Sequence, residues 1–262
     1  MIRRKFDNEF NINNIRRSVI RTIANINKLY KSEYGEIVLC YDSKNYWRKS
    51  VFPFYKQNRK KEREQSGLDW ELIFSTLNKI RDELKMNLPY KVLCVDGAES
   101  DDIIAILTIH RQNNEPILIL SQDKDFVQLQ KFNYVKQYDL THKKWIICEN
   151  PEKTLREHII RGDRSDGIPN ILTSDDVFVS GKVQKTMSKE KIDRLTSLDP
   201  TTFNNFVRLR NWKRNSQLID FNQIPDKIIN DVIVAYHKEK PNSSVNLEYF
   251  SRHNMIDLLS LF

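Results

Sequence analysis

The chain has 262 residues, 39% hydrophobic and 30% charged, with 43 Lys and Arg against 35 Asp and Glu and a formal net charge of +8. That length suits one large domain or a core with a smaller companion, and the positive balance favours a polyanionic partner. No apolar run approaches the ~18 residues a membrane span needs, no apolar signal core follows Met1-Ile2-Arg3-Arg4-Lys5, no glycine-rich phosphate loop occurs, and the five histidines show no zinc spacing.

Ile12, Ile15, Val19, Ile23 and Ile26 recur at helical spacing and predict a helix over 11–30. Glu36-Ile37-Val38-Leu39-Cys40-Tyr41 predicts a strand ending at Asp42, and a basic segment fills 44–63. A helix over 69–86 carries Trp70, Ile73, Phe74, Leu77, Ile80 and Leu84 on one face. A strand over 91–95 ends at Asp96 and leads to a helix over 99–112 and a buried parallel strand over 116–120. A short helix near 125–130 and weaker strands near 134–138 and 144–148 follow. Strands alternating with helices imply an α/β fold with one mainly parallel central sheet flanked by helices. From Pro151 the pattern turns helical and loop-rich, which places a soft boundary between 1–150 and 151–262. Cys40, Cys94 and Cys148 are odd in number and stand in apolar contexts, so buried reduced thiols and a cytoplasmic location are expected.

The strand at Ile117-Leu118-Ile119-Leu120 delivers Asp123 and Asp125 two residues apart. In open α/β sheets that end of a strand is where ligands bind. The pair reads either as a turn capping the next helix or as ligands to a hard divalent cation such as Mg²⁺. Asp42 ends an earlier strand. Glu99, Asp101 and Asp102 open a helix, where acids also complement the macrodipole. Asp163 and Asp166 stand in the tight turn Gly162–Pro169. Such a cluster needs positive charge to stay ionised, and two divalent ions ~3.5–4 Å apart suit hydrolysis of a phosphodiester.

Residues 44–63 hold Lys44, Arg48, Lys49, Lys56, Arg59, Lys60, Lys61 and Arg63 against Glu62 alone. Tyr46, Trp47, Phe52, Phe54 and Tyr55 interleave with them. Cations among aromatics suit phosphate contact and base stacking; the plainer reading is a solvated loop or helix. Adjacency to Asp42 favours a basic segment overhanging the acids.

These residues resemble, in this order, the 5′-nuclease superfamily: flap endonucleases, the 5′→3′ exonuclease domains of bacterial polymerases, and most of all the T-even phage ribonuclease H type. The likeness rests on Ile37–Asp42, Tyr46-Trp47-Arg48, Tyr55–Arg59, Asp82–Lys85, Glu99–Asp102, Asp123–Phe126, His142–Trp145 and Gly162–Asp166, with Leu218–Phe221 and Ile224-Pro225-Asp226 near the end. It implies two Mg²⁺ ions, with Mn²⁺ as a substitute. Asp42, Glu99, Asp123 and either Asp101 or Asp102 would surround the first, and Asp125, Asp163 and Asp166 would serve the second. Arg48 and Lys56 resemble the catalytic basic residues that steer the scissile phosphate, with Lys44, Tyr46, Lys49, Tyr55, Arg59 and Lys60 as nucleic-acid contacts. Residues 152–195 would form a helix–turn–helix gripping duplex DNA, with Lys182, Lys185 and Lys189 at phosphates. Its Ile168-Pro169-Asn170-Ile171 turn departs from the family's glycine-rich form, which weakens any expectation of bound potassium.

The resemblance further implies removal of RNA primers and 5′ flaps during phage DNA replication, in the cytoplasm of an infected bacterium. Branched or nicked DNA and RNA–DNA duplex would be substrates; a single-stranded DNA-binding protein and a sliding clamp would be partners of a monomer. Family members begin with a strand bearing a metal-binding aspartate. Here only Asp7 and Glu9 precede the first helix, in a polar segment, so that strand is expected to be absent. Two alternatives follow: a DNA-junction binder that does not cut or that needs a partner, and a more distant toxin-type RNase, against which the helical half argues. The apolar tail Asn254–Phe262 either docks on its own chain or contacts a partner.

Overall fold

The structure, a computed structural model, describes residues 11–110, 115–203 and 205–262; Asp7 and Glu9, and with them the expectation about a first strand, lie outside the described residues. The predicted elements form within a few residues of their expected bounds. They are α1 (Ile12–Tyr34), β1 (Val38–Tyr41), two short helices in the basic segment, α2 (Arg48–Val51) and α3 (Asn58–Ser66), then α4 (Trp70–Asn87) and β2 (Lys91–Cys94). Next come α5 (Ser100–Ile109), β3 (Ile117–Leu120), a 3₁₀ segment (Lys124–Lys131), β4 (Val135–Asp139) and β5 (Lys144–Ile146). The helical part holds α6 (Pro151–Arg161), α7 (Lys189–Ser197), α8 (Phe206–Ile219), α9 (Asp226–Lys238) and α10 (Leu247–Arg252).

Among the described residues the strands pair as β1–β2 and as β3–β4–β5, so the single sheet expected from alternation is two small ones. Periodicity identifies a strand but not its neighbour. β3 and β4 run parallel, Ile117 opposite Val135 and Leu120 opposite Tyr138, and β5 returns antiparallel. β3 is less enclosed than its apolar run suggests, with Ile119 alone fully buried. The cysteines are thiols, but Cys40 and Cys148 are half-buried and Cys94 is exposed. The last two stand at or beyond strand ends, where the sheet no longer covers them.

Two compact units interleave along the chain. One takes the chain up to Tyr41, Asp69–Leu93 and Ala235–Phe262; the other takes Asp42–Leu68 and Cys94–Val234. They do not follow the halves 1–150 and 151–262, because the apolar C-terminal tail belongs with the first helix. In the first unit Asn11 caps α1 by accepting from Asn13 N at 2.9 Å, and Asp69 caps α4 by accepting from Leu72 N at 2.9 Å. Ile20, Leu84, Leu88 and Phe250 form its core, and the tail contributes Met255 and Leu258. The tail thus docks on its own chain, where Arg17 donates to the Asn254 carbonyl at 3.0 Å. Arg16 donates to both Glu83 oxygens at 2.5 and 2.8 Å inside this core, and the Tyr249 hydroxyl donates to Glu83 at 2.9 Å.

In the second unit α6 divides two cores. Ile159 packs with Phe52, Tyr55, Ile168, Leu218 and Ile219, while Ile160 packs with Ile171, Ile192, Leu195 and Phe203. The expected helix–turn–helix over 152–195 is α6 and α7 packed through this second core, joined by a connector over 162–188 rather than by a tight turn. Among the described residues no helix is long and apolar enough to cross a membrane.

Candidate metal centre

The second unit contains every predicted ligand. Gln137 of β4 donates its side-chain amide to the carbonyls of Ser121 and Asp123 at 3.0 and 2.7 Å, which fixes the turn leaving β3. The Asp123 carboxylate accepts from Asp125 N at 2.9 Å. The pair is therefore a capped turn that also carries two carboxylates, so the two sequence readings do not exclude one another. Asp42 accepts from Ser100 N and Oγ, both at 2.7 Å, which ties it to the start of α5. Gly162 ends α6 at φ +69°, and a Cβ there would meet the Ile168 carbonyl at 2.3 Å. Only glycine lets the loop close, with Ile168 N donating to Asp163 O at 2.7 Å. Asp163 Oδ1 then accepts from Ser165 N and Oγ at 2.7 and 2.6 Å.

Asp101 and Asp102 stand in different surroundings. Asp102 is fully buried, accepts from its own cap at Glu99 N and from Trp47 Nε1 at 3.0 and 3.1 Å, and pairs with Arg48 at 2.8 Å. These contacts occupy it as a helix-start anchor. Asp101 faces acids instead: burial, then the charges of Asp123, Asp42 and Glu99, push its carboxyl up to about 7.

Arg48 and Tyr55 require correction. Arg48 is expected to steer a scissile phosphate and Tyr55 to contact nucleic acid, yet they are 4% and 3% exposed. Arg48 donates to Glu99 at 2.9 Å and to the Leu218 carbonyl at 2.8 Å. The Tyr55 hydroxyl lies 3.1 Å from Glu99 and 2.9 Å from Asp166 and donates to one at a time. Trp47 and Phe52 are buried as well. Hence much of the aromatic content of 44–63 is core rather than a stacking platform, and its inward cations balance buried acids. Lys56 is held at φ +57°, an uncommon conformation for a residue with a side chain, and its N–H donates to the Asp166 carbonyl at 2.8 Å. Its ammonium lies 2.6 Å from Glu99 and 3.6 Å from Asp166. Arg59 pairs with Asp166 at 2.5 Å.

His158 escaped notice in the sequence. On α6 its Nδ1 lies 3.2 Å from Asp125 and its Nε2 3.3 Å from Asp163. One ligand atom from each of these three residues falls within 4.8 Å of the others. No zinc-like spacing announces it, because the three residues are brought together by folding. Burial opposes charge on the imidazole, but the hydrogen bond to Asp163 and the charge of Asp125 prevail and raise it above its usual value. Burial also opposes ionisation of Asp163, yet His158 and Ser165 hold it well below the usual carboxylate range. Asp125 goes the other way: burial, with Asp123, Asp163 and Asp166 adding repulsion against the help of His158, pushes it up to about 7.

Of the residues expected to meet nucleic acid, Lys44, Lys49, Lys60, Lys182, Lys185 and Lys189 are exposed and Tyr46 is half-buried. Lys49 lies over the Tyr46 ring at 4.3 Å, and Lys182 pairs with Asp176 at 2.8 Å. In the connector, backbone carbonyls are taken by side chains of α8. Asn211 Nδ2 donates to the Ile171 and Thr173 carbonyls, both at 3.1 Å, while Arg214 Nη2 and Asn215 Nδ2 donate to the Pro169 carbonyl at 2.9 and 2.8 Å. Asn215 also reaches the Ile159 carbonyl at 2.7 Å. Asn215→Ala would take this donor from the buried Ile159 carbonyl and leave the Pro169 carbonyl to Arg214 alone. A loss of about 2 kcal/mol is expected from urea denaturation; a value near zero would mean that water replaces the amide.

A family model described as the 5′-3′ exonuclease N-terminal resolvase-like domain matches residues 4–158, and one described as T4 RNase H, C terminal, matches 150–261. Ribonuclease H of Enterobacteria phage T4 is 32% identical over 249 residues, covering 88% of this chain and 80% of its own. A 5′-3′ exonuclease of Buchnera aphidicola subsp. Acyrthosiphon pisum is 26% identical over 254 residues, covering 89% and 85%. Among solved structures, T5 5′-exonuclease with bound zinc overlays at a TM-score of 0.61 and 17% identity, covering 91% of this chain and 95% of that one. The bacteriophage T5 flap endonuclease with DNA and metal ions overlays at 0.59 and 18%, covering 84% and 90%. The fold and its matches define a nuclease. The chain belongs to the 5′-3′ exonuclease family, with a C-terminal part of the T4 RNase H type.

Proposed function

We propose that this chain is a divalent-metal-dependent 5′→3′ nuclease that hydrolyses phosphodiesters to remove RNA primers and 5′ flaps during phage DNA replication. One observation carries the metal dependence: a ligand atom from each of Asp125, His158 and Asp163 falls within 4.8 Å of the others, and desolvation with neighbouring acids pushes the half-buried carboxyls of Asp101 and Asp125 up to about 7. Hard oxygen donors that repel one another fit a divalent ion such as Mg²⁺. Asp42, Glu99, Asp101 and Asp123 would hold one ion, and Asp125, Asp163 and Asp166 a second. Bound ions of this kind supply Lewis-acid polarisation of the phosphate and a more acidic attacking water. Arg48 acts by orienting Glu99 and Asp102. Lys56, poised between Glu99 and Asp166, is the cation that meets a scissile phosphate; Lys44, Lys49 and Lys60 track the backbone of the strand. Branched DNA and RNA–DNA duplex are the substrates, and the site of action is the cytoplasm of the infected cell.

Cleavage of 5′-labelled flap and RNA-primed duplexes with and without Mg²⁺ tests this reading. Tight binding without cleavage would favour a DNA-junction binder instead. A second expectation concerns pH. Asp101 and Asp125 have folded pKa values above their ordinary one, so the metal-free fold binds more protons than the unfolded chain. Their contribution to stability is full below about pH 4 and is lost as pH rises towards about 7. Divalent ions compete with those protons. Saturating Mg²⁺ should therefore raise Tm by several degrees at pH 8 and far less at pH 6; an equal shift at both would contradict the assignment.

A further inference from the structure

His158 is the titratable group in the metal pocket that the two-ion reading leaves without a task. It projects from the last turn of α6, a helix clamped between two cores by Ile159 and Ile160 and stopped by Gly162. Its ring stands between Asp125 and Asp163, at 3.2 and 3.3 Å. Asp163 is itself oriented: Oδ1 takes the Ser165 and Asp166 N–H groups, which leaves Oδ2 turned to the imidazole.

We propose that His158 is a nitrogen ligand of the second metal position, and that this mixed nitrogen–oxygen donor set makes the position prefer Mn²⁺ or Co²⁺ over Mg²⁺. The proposal rests on the two-ion reading above. Magnesium is a hard ion that dehydrates reluctantly and selects oxygen. Imidazole suits the later first-row divalent ions; Mn²⁺ shares oxygen donors with Mg²⁺ but opens the series whose affinity for nitrogen-containing sites rises through Co²⁺. The first position, Asp42, Glu99, Asp101 and Asp123, offers oxygen alone and has no such bias. The two positions are therefore chemically unequal, and a mixture of Mg²⁺ and Mn²⁺ would distribute between them rather than fill both at random.

The test uses the full-length metal-free protein with Mn²⁺ and Mg²⁺ as probes. Mn²⁺ electron spin echo spectra of the unsubstituted protein should carry nitrogen modulation from a coordinated imidazole. Titration followed by the signal of unbound Mn²⁺ should reveal one class of Mn²⁺ that Mg²⁺ displaces poorly. In His158→Gln the nitrogen modulation should vanish and Mn²⁺ affinity at that position should fall roughly tenfold, with Mg²⁺ affinity nearly unchanged. Asp101→Asn, at the first position, should leave the modulation in place. Absence of nitrogen modulation in the unsubstituted protein, or an unaltered Mn²⁺ to Mg²⁺ preference in His158→Gln, overturns the proposal and makes the imidazole a charge balance for two carboxylates. Failure of Asp125→Asn to weaken Mn²⁺ binding would instead overturn the two-ion reading itself.

Discussion

Asp125→Asn should abolish divalent-ion-dependent cleavage while duplex binding persists, and Asp123→Asn should do the same. Each substitution removes one negative oxygen where positive charge must be held, and loss of a single electrostatic stabiliser costs at least about 10²-fold in turnover. Folding should survive. An asparagine at 123 can still accept from the backbone N–H of residue 125, because Asn caps as well as Asp does. At 125 the substitution relieves a half-buried carboxyl already pushed up to about 7, so the metal-free variant should melt higher than the parent at pH 8. Binding should persist because Lys44, Lys49 and Lys60 are exposed on a separate stretch of chain. Single-turnover cleavage and equilibrium binding on the same flap substrate separate these effects. Unchanged turnover in either variant would remove the pair from the site.

Glu83→Ala should be the most destabilising single change in the first unit. Arg16 is 1% exposed and donates to both Glu83 oxygens, and Tyr249 donates to the same carboxylate. Burial works against the ionised carboxylate, but the hydrogen bonds from Arg16 and Tyr249 hold its pKa below the usual value. Removing it strands a buried guanidinium, which costs about 3–5 kcal/mol, against a total stability of roughly 5–15 kcal/mol for such a protein. Urea denaturation would read this as a lowered midpoint at unchanged slope. Arg16→Met with Glu83→Leu should recover part of the loss, since two apolar groups need no partner while the Tyr249 hydroxyl still loses its acceptor. Because the pKa of Glu83 is depressed, its contribution is present above about pH 4.5 and is lost as pH falls through the folded value. The double variant should lack that part of the acid limb. A cost below about 1 kcal/mol for Glu83→Ala would mean that water reaches Arg16.

Much of the site is legible before folding because its acids stand at element boundaries. Asp42 follows a strand, Asp123 and Asp125 follow another, and Asp163 follows a glycine whose φ of +69° no other residue would tolerate there. Local grammar marks these places. His158, Asn211, Arg214 and Asn215 are different. Each lies within a helix, where a polar residue ordinarily means a solvated face. Each has a partner far along the chain, as with His158 and Asp125 or Asn215 and the Ile159 carbonyl.

Sequence by itself determined the elements, the order of the acids and the basic stretch at 44–63, since each follows from periodicity, boundary chemistry or charge within a short window. Only the tertiary structure decided that Asp102 is taken up by Trp47 and Arg48, that Arg48 and Tyr55 turn inward, and that the strands of the described residues split between two sheets. Those outcomes depend on which distant groups share one desolvated space. Burial and partner distance set the charge state and availability of a side chain, and neither is a property of its neighbours in sequence.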